Sequence, residues 1–431
     1  TFTGMWIIPS FVRMATDSPD SYPFVYYSAV MKDWGIIDYK DKEMPLSDLQ
    51  GNKYTTAQFD SLMPFLNYRQ LMADGRLPDS ICGTAISPPL LRAATVVFRY
   101  APRERKTPDK GLYILFESMP KRVGLEMPDD VFRLKDGIEF IDVQTNTVNR
   151  EKSDLFARAL EKAGYTFPAR WVVGNPNPRK PYDEGYFTLD SQGRLYHLKM
   201  VNNRPFVKDT RIDKDMDMAW FSMYEASNKR FYGFLFDRQG GLYILESREG
   251  QYVPVKLDLD PIDIDCDEVT VMGNLLYWTV IITTSQGRRY YGLKTETLKR
   301  VSEHAIAREP NRWDKVSGWL FPFYITFQEP DSHFLYPRLH VTEYRAWAIN
   351  LLLALLVTVI ASRRSDKLFA ALFVALKSAV VFRGVFSCRL IHALCQHGIS
   401  YFNETGDICT DHIVDIALCI TAVFFTVSMN V

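Results

Sequence analysis

The sequence predicts a mainly β soluble domain, β-propeller-like or a multi-blade β-meander with a few helices, together with α-helical transmembrane segments. Two observations predict this fold class. A Gln-Gly pair recurs with its glycines at Gly193, Gly240 and Gly287, which stand 47 residues apart in both intervals. The last part of the chain is instead dominated by apolar blocks, the clearest of which runs from Ala346 to Ala361.

The charge balance limits the classes of partner. The 431 residues include 51 Lys plus Arg and 51 Asp plus Glu, so the formal net charge is zero. Proteins that bind nucleic acid usually carry a basic excess or a basic stripe. No nucleic-acid partner is therefore expected.

Residues 1–13 form an apolar segment that is shorter than the about 20 residues needed to cross a bilayer. We interpret this segment as the outer end of a truncated N-terminal signal anchor, which stays uncleaved because no small-residue cleavage site follows it. The alternative is a buried N-terminal strand.

The large domain begins with residues 14–150, in which helical insertions interrupt the strand patterns. Thr55-Thr-Ala-Gln58 has the pattern of a capping box before an apolar helical face. Ser153 is predicted to cap a second helix, which Gly164 ends. The loop at 174–182 is rich in proline and contains Arg and Lys, which predicts a stiff, basic and exposed segment.

Residues 151–340 are predicted to form the propeller-like repeat region. Each Gln-Gly turn lies between two β-rich runs, and its glycine supplies the positive φ that a tight turn needs. Four short strands in about 45 residues match the period of a propeller blade, and blades bury their faces only against neighbouring blades. The alternative is a meandering β-sandwich with evenly spaced turns.

A transmembrane helix is predicted at 341–362, because Ala346–Ala361 carries no charge and aromatic residues that suit a membrane interface stand at its start. Arg363, Arg364 and Lys367 follow it, and the positive-inside rule makes them the topology-determining residues of a cytoplasmic loop. Residues 363–431 are predicted to hold that loop and one or two further membrane segments. The alternative for 341–362 is a core helix of a soluble domain.

No metal and no cofactor are predicted, although two groups of residues are weak candidates for a metal site. Asp260, Asp263 and Asp265 supply the hard oxygen ligands that calcium prefers. They lack the glycine and the loop register of a calcium loop, so a solvated acidic strand edge is favoured.

The second candidate lies in the tail. On a helix, Cys388, His392 and Cys395 would share one face through i, i+4 and i+7 spacing, which suits zinc or copper. Their spacing matches no standard zinc finger, so an interfacial amphipathic helix is favoured.

No catalytic residue is predicted, because the nucleotide-binding, nucleophile-elbow and metalloprotease motifs are missing from the sequence. Glu126, Asp129 and Asp130 are the carboxylates that a hydrolase would use, but they more simply cap or turn the chain before a strand. Cys82 and Cys266 are expected to be two free buried thiols, and a disulfide between them in an oxidising compartment is the alternative.

Five motifs carry a family resemblance: Tyr54–Leu62, Tyr68–Ser80, Leu125–Arg133, Asp183–Phe187 and Gly273–Val280. With them the chain resembles, over about residues 20–360, an uncharacterised family of bacterial membrane proteins defined as a domain of unknown function. The resemblance implies a periplasmic β-rich body between membrane segments, in the bacterial inner membrane, and association with ABC-transporter components.

The expected function is a non-catalytic, membrane-anchored and periplasm-facing accessory or substrate-handling subunit of an ABC-type transport complex. Its expected partners are the ABC permease and ATPase subunits and the lipid bilayer. The alternative is a stand-alone membrane-anchored sensor or ligand-binding protein, and a periplasmic hydrolase has less support.

Overall fold

The computed structural model describes residues 2–18, 20–212, 216–327, 335 and 337–362. Within them the helices are α1 (Phe2–Thr16), α2 (Thr56–Leu62), α3 (Tyr68–Ala73), α4 (Pro88–Ala94), α5 (Pro102–Lys106), α6 (Arg150–Ala163), α7 (Arg312–Leu320) and α8 (Tyr344–Ser362).

The strands of the same residues fall into groups that follow one another along the chain. They are β1 (Phe24–Ser28), β2 (Asp33–Ile37), β3 (Leu46–Asp48), β4 (Lys53–Tyr54), β5 (Ser80–Ile81), β6 (Thr84–Ala85), β7 (Val96–Tyr100), β8 (Asp130–Leu134), β9 (Ile138–Asp142), β10 (Val148–Asn149), β11 (Trp171–Gly174), β12 (Tyr186–Leu189), β13 (Leu195–Val201), β14 (Arg204–Asp209), β15 (Met218–Met223), β16 (Phe231–Asp237), β17 (Leu242–Arg248), β18 (Gln251–Lys256), β19 (Glu268–Gly273), β20 (Tyr277–Thr284), β21 (Gly287–Lys294), β22 (Arg300–Ala307), β23 (Phe323–Thr326) and β24 (Arg338–Val341).

The chain divides into two compact units. The first comprises Thr1–Lys315 and Tyr324–His340, and the second comprises Val316–Phe323 and Val341–Val431. The first unit contains the large antiparallel sheets, whose strand orders are β1-β2-β3-β4, β10-β9-β8, β11-β12-β13-β14, β15-β16-β17-β18 and β22-β21-β20-β19-β7. Most sheets are thus meanders of consecutive strands, and β7 is the exception because it joins β19 from far earlier in the chain.

The three Gln-Gly repeats occupy equivalent hairpins, between the second and third strands of successive meanders. In the second of them, Asp237 Oδ1 accepts hydrogen bonds from the backbone nitrogens of Gln239 at 2.9 Å and Gly241 at 2.6 Å. Gly240 has a φ of +86°, and a Cβ there would lie 2.8 Å from the backbone nitrogen of Ile262. The turn therefore requires glycine for its conformation and for the close approach of the neighbouring chain.

The sheets of the first unit pack face to face in a row. Successive buried clusters join β1–β4 to the β19–β22 sheet, that sheet to β15–β18, β15–β18 to β11–β14, and β11–β14 to β8–β10 and α6. Among the described residues no such cluster joins β8–β10 back to β1–β4, so the row does not close into a ring. The prediction of a β-propeller-like fold is therefore wrong. The local repeat determines the separate sheets, whereas a closed ring also requires the first and last sheets of the row to pack against each other.

The predicted transmembrane segments are not found among the described residues either, where no helix is long and apolar enough to cross a membrane. The charge-free run from Ala346 to Ala361 falls short of the about 20 residues of a spanning helix, and α8 also includes Arg345 and the polar Asn350. Asn350 Nδ2 donates to the backbone oxygen of Leu320 at 2.8 Å within the second unit. The predictions of a membrane helix at 341–362 and of an inner-membrane location are accordingly wrong.

Two of the helix boundaries predicted from the sequence are confirmed and one is wrong. The capping box of α2 is present, because Thr55 accepts from the Gln58 backbone while the Gln58 side chain accepts from the Thr55 backbone. Gly164 ends α6 in the left-handed conformation, as predicted. The α6 cap is Asn149 instead of Ser153, since the helix begins earlier. Ser153 lies within the helix and is buried, and its hydroxyl accepts a hydrogen bond from the backbone nitrogen of Phe140.

The N-terminal segment is also helical. Residues 2–16 form α1, so the alternative of a buried N-terminal strand is wrong. Cys82 and Cys266 are both exposed and are not joined by a disulfide, which corrects the expectation of buried thiols.

Candidate functional site

A long connection without regular structure links α5 to β8, from residue 107 to residue 129. Connections of more than about 12–15 residues without secondary structure are uncommon in compact domains and are usually either functional loops or disordered linkers. Its tip, residues 119–127, exposes the side chains of Met119, Val123 and Met127, and Val123 is fully accessible. Lys121 and Arg122 are exposed beside Val123. We call residues 119–127 the loop tip and the preceding residues 113–118 the loop stem.

The loop stem is held on both sides. Tyr113 and Phe132 of β8 exchange two backbone hydrogen bonds of 2.8 Å each. The Glu117 carboxylate accepts from the backbone nitrogens of Asn202 and Asn203, at 2.8 Å each, in the turn between β13 and β14. The stem is thereby tied to two different sheets.

Beneath the stem lies a buried group of charges that we call the Lys180 cluster, composed of Lys180, Asp183 and Glu225. Lys180 Nζ lies 2.5 Å from Asp183 Oδ1 and 2.6 Å from Glu225 Oε1, and each of the three side chains is at most 4% exposed. Lys180 comes from the loop between β11 and β12, and Glu225 from the connection between β15 and β16. The cluster therefore joins two neighbouring sheets.

The Lys180 cluster also holds the loop stem directly. Ser118 Oγ donates to Asp183 Oδ2 at 2.8 Å, and Lys180 Nζ lies 5.6 Å from the centre of the Phe116 ring. Phe116 itself is buried. Because a buried charge is costly unless it is paired and hydrogen-bonded, this arrangement fixes the stem in one position.

The two carboxylates of the cluster have further donors. Burial raises the pKa of Glu225, and Lys180 partly opposes that increase. Glu225 also accepts hydrogen bonds from Asn175 Nδ2 and from the backbone nitrogen of Glu184, both at 2.8 Å. The charged groups are thus engaged with one another and with the backbone, which suits a structural role for the cluster.

A second buried polar contact lies beside the cluster. His197 Nε2 is 2.6 Å from the backbone oxygen of Glu184, so this nitrogen carries the proton, and Nδ1 accepts from the Tyr252 hydroxyl at 2.8 Å. Burial lowers the pKa of His197 to about 3, so the imidazole is neutral at physiological pH. Its ring stacks on Phe187 with the ring centres 4.4 Å apart. His197 therefore acts as a neutral brace for Glu184.

The sequence did not identify this site. The loop at 174–182 was expected to be exposed, but Lys180 is buried because Asp183 and Glu225 surround its ammonium group. The one available signal was the Asp183–Phe187 motif, whose two acidic residues lie in or beside the Lys180 cluster.

The carboxylates considered for hydrolysis lie at the far end of the same loop. Asp130 makes a bidentate ion pair with Lys152 of α6, at 2.8 Å through both oxygens. Glu126 belongs to the loop tip, and the backbone oxygen of Asp129 accepts from the backbone of Val143 at 2.9 Å. Asp130 and the backbone of Asp129 therefore anchor the end of the loop, and Glu126 lies in the loop tip.

Asp260, one of the weak metal candidates, is engaged by arginines. Its two oxygens lie 2.8 Å from Arg300 and 3.2 Å from Arg289, and one of them accepts from the Tyr291 hydroxyl at 2.9 Å. The hydrogen bond from Arg300 is the largest influence on Asp260 and holds the pKa of its carboxyl below the usual value.

The other acidic candidates lie in a turn. Asp263 Oδ1 accepts from the backbone nitrogen of Asp265 at 2.9 Å, and Asp265 pairs with Arg105. Among the residues that the structure describes, no three His, Cys, Asp or Glu side chains are grouped so that they could hold a metal ion.

Cys388, His392 and Cys395, and the topology residues Arg363, Arg364 and Lys367, lie outside the described residues.

Comparison with known proteins identifies one family. The sequence model of a domain of unknown function (DUF4857) matches residues 24–293. No curated protein matches the chain in sequence.

Solved structures give only weak likenesses. Kuenenia stuttgartiensis hydrazine synthase is 8% identical, with 53% of each chain covered and a TM-score of 0.21. PorZ, a surface component of the type-IX secretion system of Porphyromonas gingivalis, is 11% identical, with 70% of this chain and 33% of PorZ covered and a TM-score of 0.21. The dihydro-heme d1 dehydrogenase NirN is 14% identical, with 67% of this chain and 79% of NirN covered and a TM-score of 0.19. The chain thus spans about half of hydrazine synthase and a third of PorZ, and scores this low support no inference about fold or function.

Proposed function

This protein belongs to the DUF4857 family, and we propose that it is a non-catalytic accessory protein that binds a partner protein through the loop tip at residues 119–127. The observation that carries this proposal is the projection of three apolar side chains, with two cations among them, from a stem that is anchored in the buried core.

The chemistry of the loop tip suits a protein surface with an apolar pocket bordered by carboxylates. Met119, Val123 and Met127 offer apolar area within nine residues, and methionine adapts its shape to irregular pockets. Lys121 and Arg122 make no ion pair with any described residue, so their charges are available to a partner. Contacts of this kind, an apolar centre with charged neighbours, are typical of protein interfaces.

The anchored stem supports the same proposal. Binding costs free energy when a loop must be ordered, and a loop that is held before binding avoids part of that cost. Here the stem is fixed by Ser118 on Asp183 and by Glu117 on the β13–β14 turn, so the loop tip starts from a defined position.

The partner expected from the family resemblance, an ABC-type permease with its ATPase, belongs to this proposal. In that role the protein would present or handle a substrate for the transporter without transforming it. The permease and ATPase would carry out transport, and the loop tip would provide the contact.

The proposal is tested with Val123→Asp, which places a carboxylate at the centre of the loop tip without disturbing the stem. The tagged full-length protein is purified from its native cells and the co-purifying proteins are quantified by mass spectrometry. We expect Val123→Asp to reduce recovery of the transporter subunits by at least about tenfold, since hot-spot losses of about 1.4 kcal/mol or more give that factor.

The matched control is Val301→Asp on β22, where the native side chain is also exposed but lies outside the loop. This variant should recover the partner as well as the native protein does. Recovery of the transporter by Val123→Asp at the native level, or no transporter subunit with the native protein, would refute the proposal.

A further inference from the structure

A separate pocket of about 480 Å³ lies within the first unit, away from the loop tip. Its size falls in the usual range of small-molecule sites, about 300–1,000 Å³. Aromatic and other apolar side chains form most of its wall, and the aromatic members are Trp6, Trp313, Tyr324 and Phe327.

The aromatic wall is ordered by contacts between its own members. Trp6 of α1 meets Phe327 edge to face with ring centres 5.0 Å apart, and Trp313 meets Tyr324 in the same way at 5.3 Å. Flat apolar molecules pack well against such rings, because stacked and edge-to-face contacts add to the burial of apolar area. The wall therefore favours a planar, largely apolar ligand.

One cation lines this wall. Arg13 Nε donates to Asp17 Oδ2 at 3.0 Å, and the guanidinium carbon lies 6.0 Å from the centre of the Trp313 ring. Among the described residues, no acceptor bonds the two terminal nitrogens of Arg13. The two terminal nitrogens, with two N–H donors each, thus remain for a ligand, and this rigid fork matches the two oxygens of a carboxylate.

Asp17 does not compete for this role, because it is already occupied. It accepts hydrogen bonds from Arg13 and from Asn311 Nδ2, and Asn311 also ties the backbone of Ser18 at 3.0 Å. Burial would raise the pKa of Asp17, but the bonds from Arg13 and Asn311 outweigh it and lower the pKa. Asp17 is thus a charged partner that orients Arg13 through the Nε of the guanidinium group and leaves its two terminal nitrogens available to a ligand.

We infer that this pocket binds a small planar apolar carboxylate, whose ring system lies against Trp6 and Trp313 and whose carboxylate pairs with the terminal nitrogens of Arg13. This ligand site is independent of partner binding at the loop tip. Through this site the protein would sense a small molecule or transfer it to another protein, whichever protein binds the loop tip.

The inference is tested with two probes of the same shape, 2-naphthoate and neutral 2-naphthamide, titrated into the full-length protein in a calorimeter. The native protein should bind naphthoate at least about tenfold more tightly than naphthamide, because charge-assisted hydrogen bonds are roughly twice as strong as neutral ones. Arg13→Gln should abolish this difference and leave the weaker naphthamide affinity unchanged. Arg13→Lys, which keeps the charge but lacks the fork, should restore only part of it.

Arg238→Gln is the matched control, because Arg238 forms a comparable surface pair with Asp217 at 3.2 Å and lies outside the pocket. It should bind both probes as the native protein does, and so should Val123→Asp. Equal affinities of the native protein for the two probes, no binding of naphthoate, or full naphthoate affinity in Arg13→Gln would each overturn the inference. The first two results are read on the native protein and need no variant to fold.

Discussion

Replacing Lys180 by methionine is the sharpest test of how the loop stem is held. The substitution keeps most of the side-chain volume but removes the only cation of the Lys180 cluster, so Asp183 and Glu225 are left as two buried carboxylates about as exposed as before, at 2% each. Breaking a buried ion pair by removing one partner costs about 3–5 kcal/mol. The remaining donors to the two carboxylates keep the expected loss of unfolding free energy within that range.

The loss of unfolding free energy in Lys180→Met should depend on pH. Burial raises the pKa of Glu225, so the folded protein binds a proton more tightly there than the unfolded chain does, and stability increases as the pH falls through the folded pKa. In the native protein, the ammonium group of Lys180 opposes the increase in the pKa of Glu225. The penalty of Lys180→Met should therefore be largest at neutral pH and shrink toward the ordinary glutamate pKa.

The assay is urea denaturation followed by circular dichroism at a series of pH values, with hydrogen exchange of residues 107–129 to detect local release of the stem. Lys229→Met is the control, because Lys229 is exposed and its ammonium group lies 4.5 Å from the centre of the Tyr182 ring, so its removal should cost at most about 1 kcal/mol. The double variant Lys180→Met with Glu225→Gln should recover at least about 1 kcal/mol. A cost below about 1 kcal/mol for Lys180→Met, or one that is the same at every pH, would refute the reasoning.

Three further outcomes follow from the described contacts. Burial lowers the pKa of His197 to about 3, so the unfolded chain binds a proton at a higher pH than the folded protein does. Below the unfolded pKa of histidine, the native protein should therefore lose up to about 1.4 kcal/mol of unfolding free energy per pH unit. His197→Phe should lack this pH dependence in urea titrations. Asp237→Ala removes the acceptor of two backbone N–H groups and should cost about 1–3 kcal/mol in thermal unfolding. Gly240→Ala should be more destabilising than Gly250→Ala, since both have positive φ but only Gly240 would bring a Cβ to 2.8 Å from the backbone of Ile262; equal melting temperatures for the two would contradict this.

The family resemblance predicted from five sequence motifs can be compared with the family match and with the structure. The resemblance to a domain of unknown function is confirmed by the match over residues 24–293, and its motifs have structural roles in the fold. Asn274 in the Gly273–Val280 motif accepts from the backbone of Tyr277 at 2.9 Å and donates to the Tyr26 hydroxyl at 2.8 Å. The association with ABC transporters stays a prediction.

Local signals in the sequence determined local structure. The Gln-Gly spacing located equivalent hairpins, Thr55 and Gln58 the capping box of α2, and Gly164 the end of α6. Each of these depends on the conformational preferences of residues within a few positions of one another, which the order of the amino acids specifies directly.

The tertiary structure alone decided whether the row of sheets closes, where apolar segments lie and which charges are buried. Lys180 is the clearest case: its loop reads as basic and exposed, but its ammonium group pairs with Glu225, 45 positions away. The burial of a charge depends on the partners that packing brings to it, and the sequence around that charge does not contain them. The loop stem and the pocket beside Arg13 follow the same rule, since each is formed by segments that meet only in the folded chain.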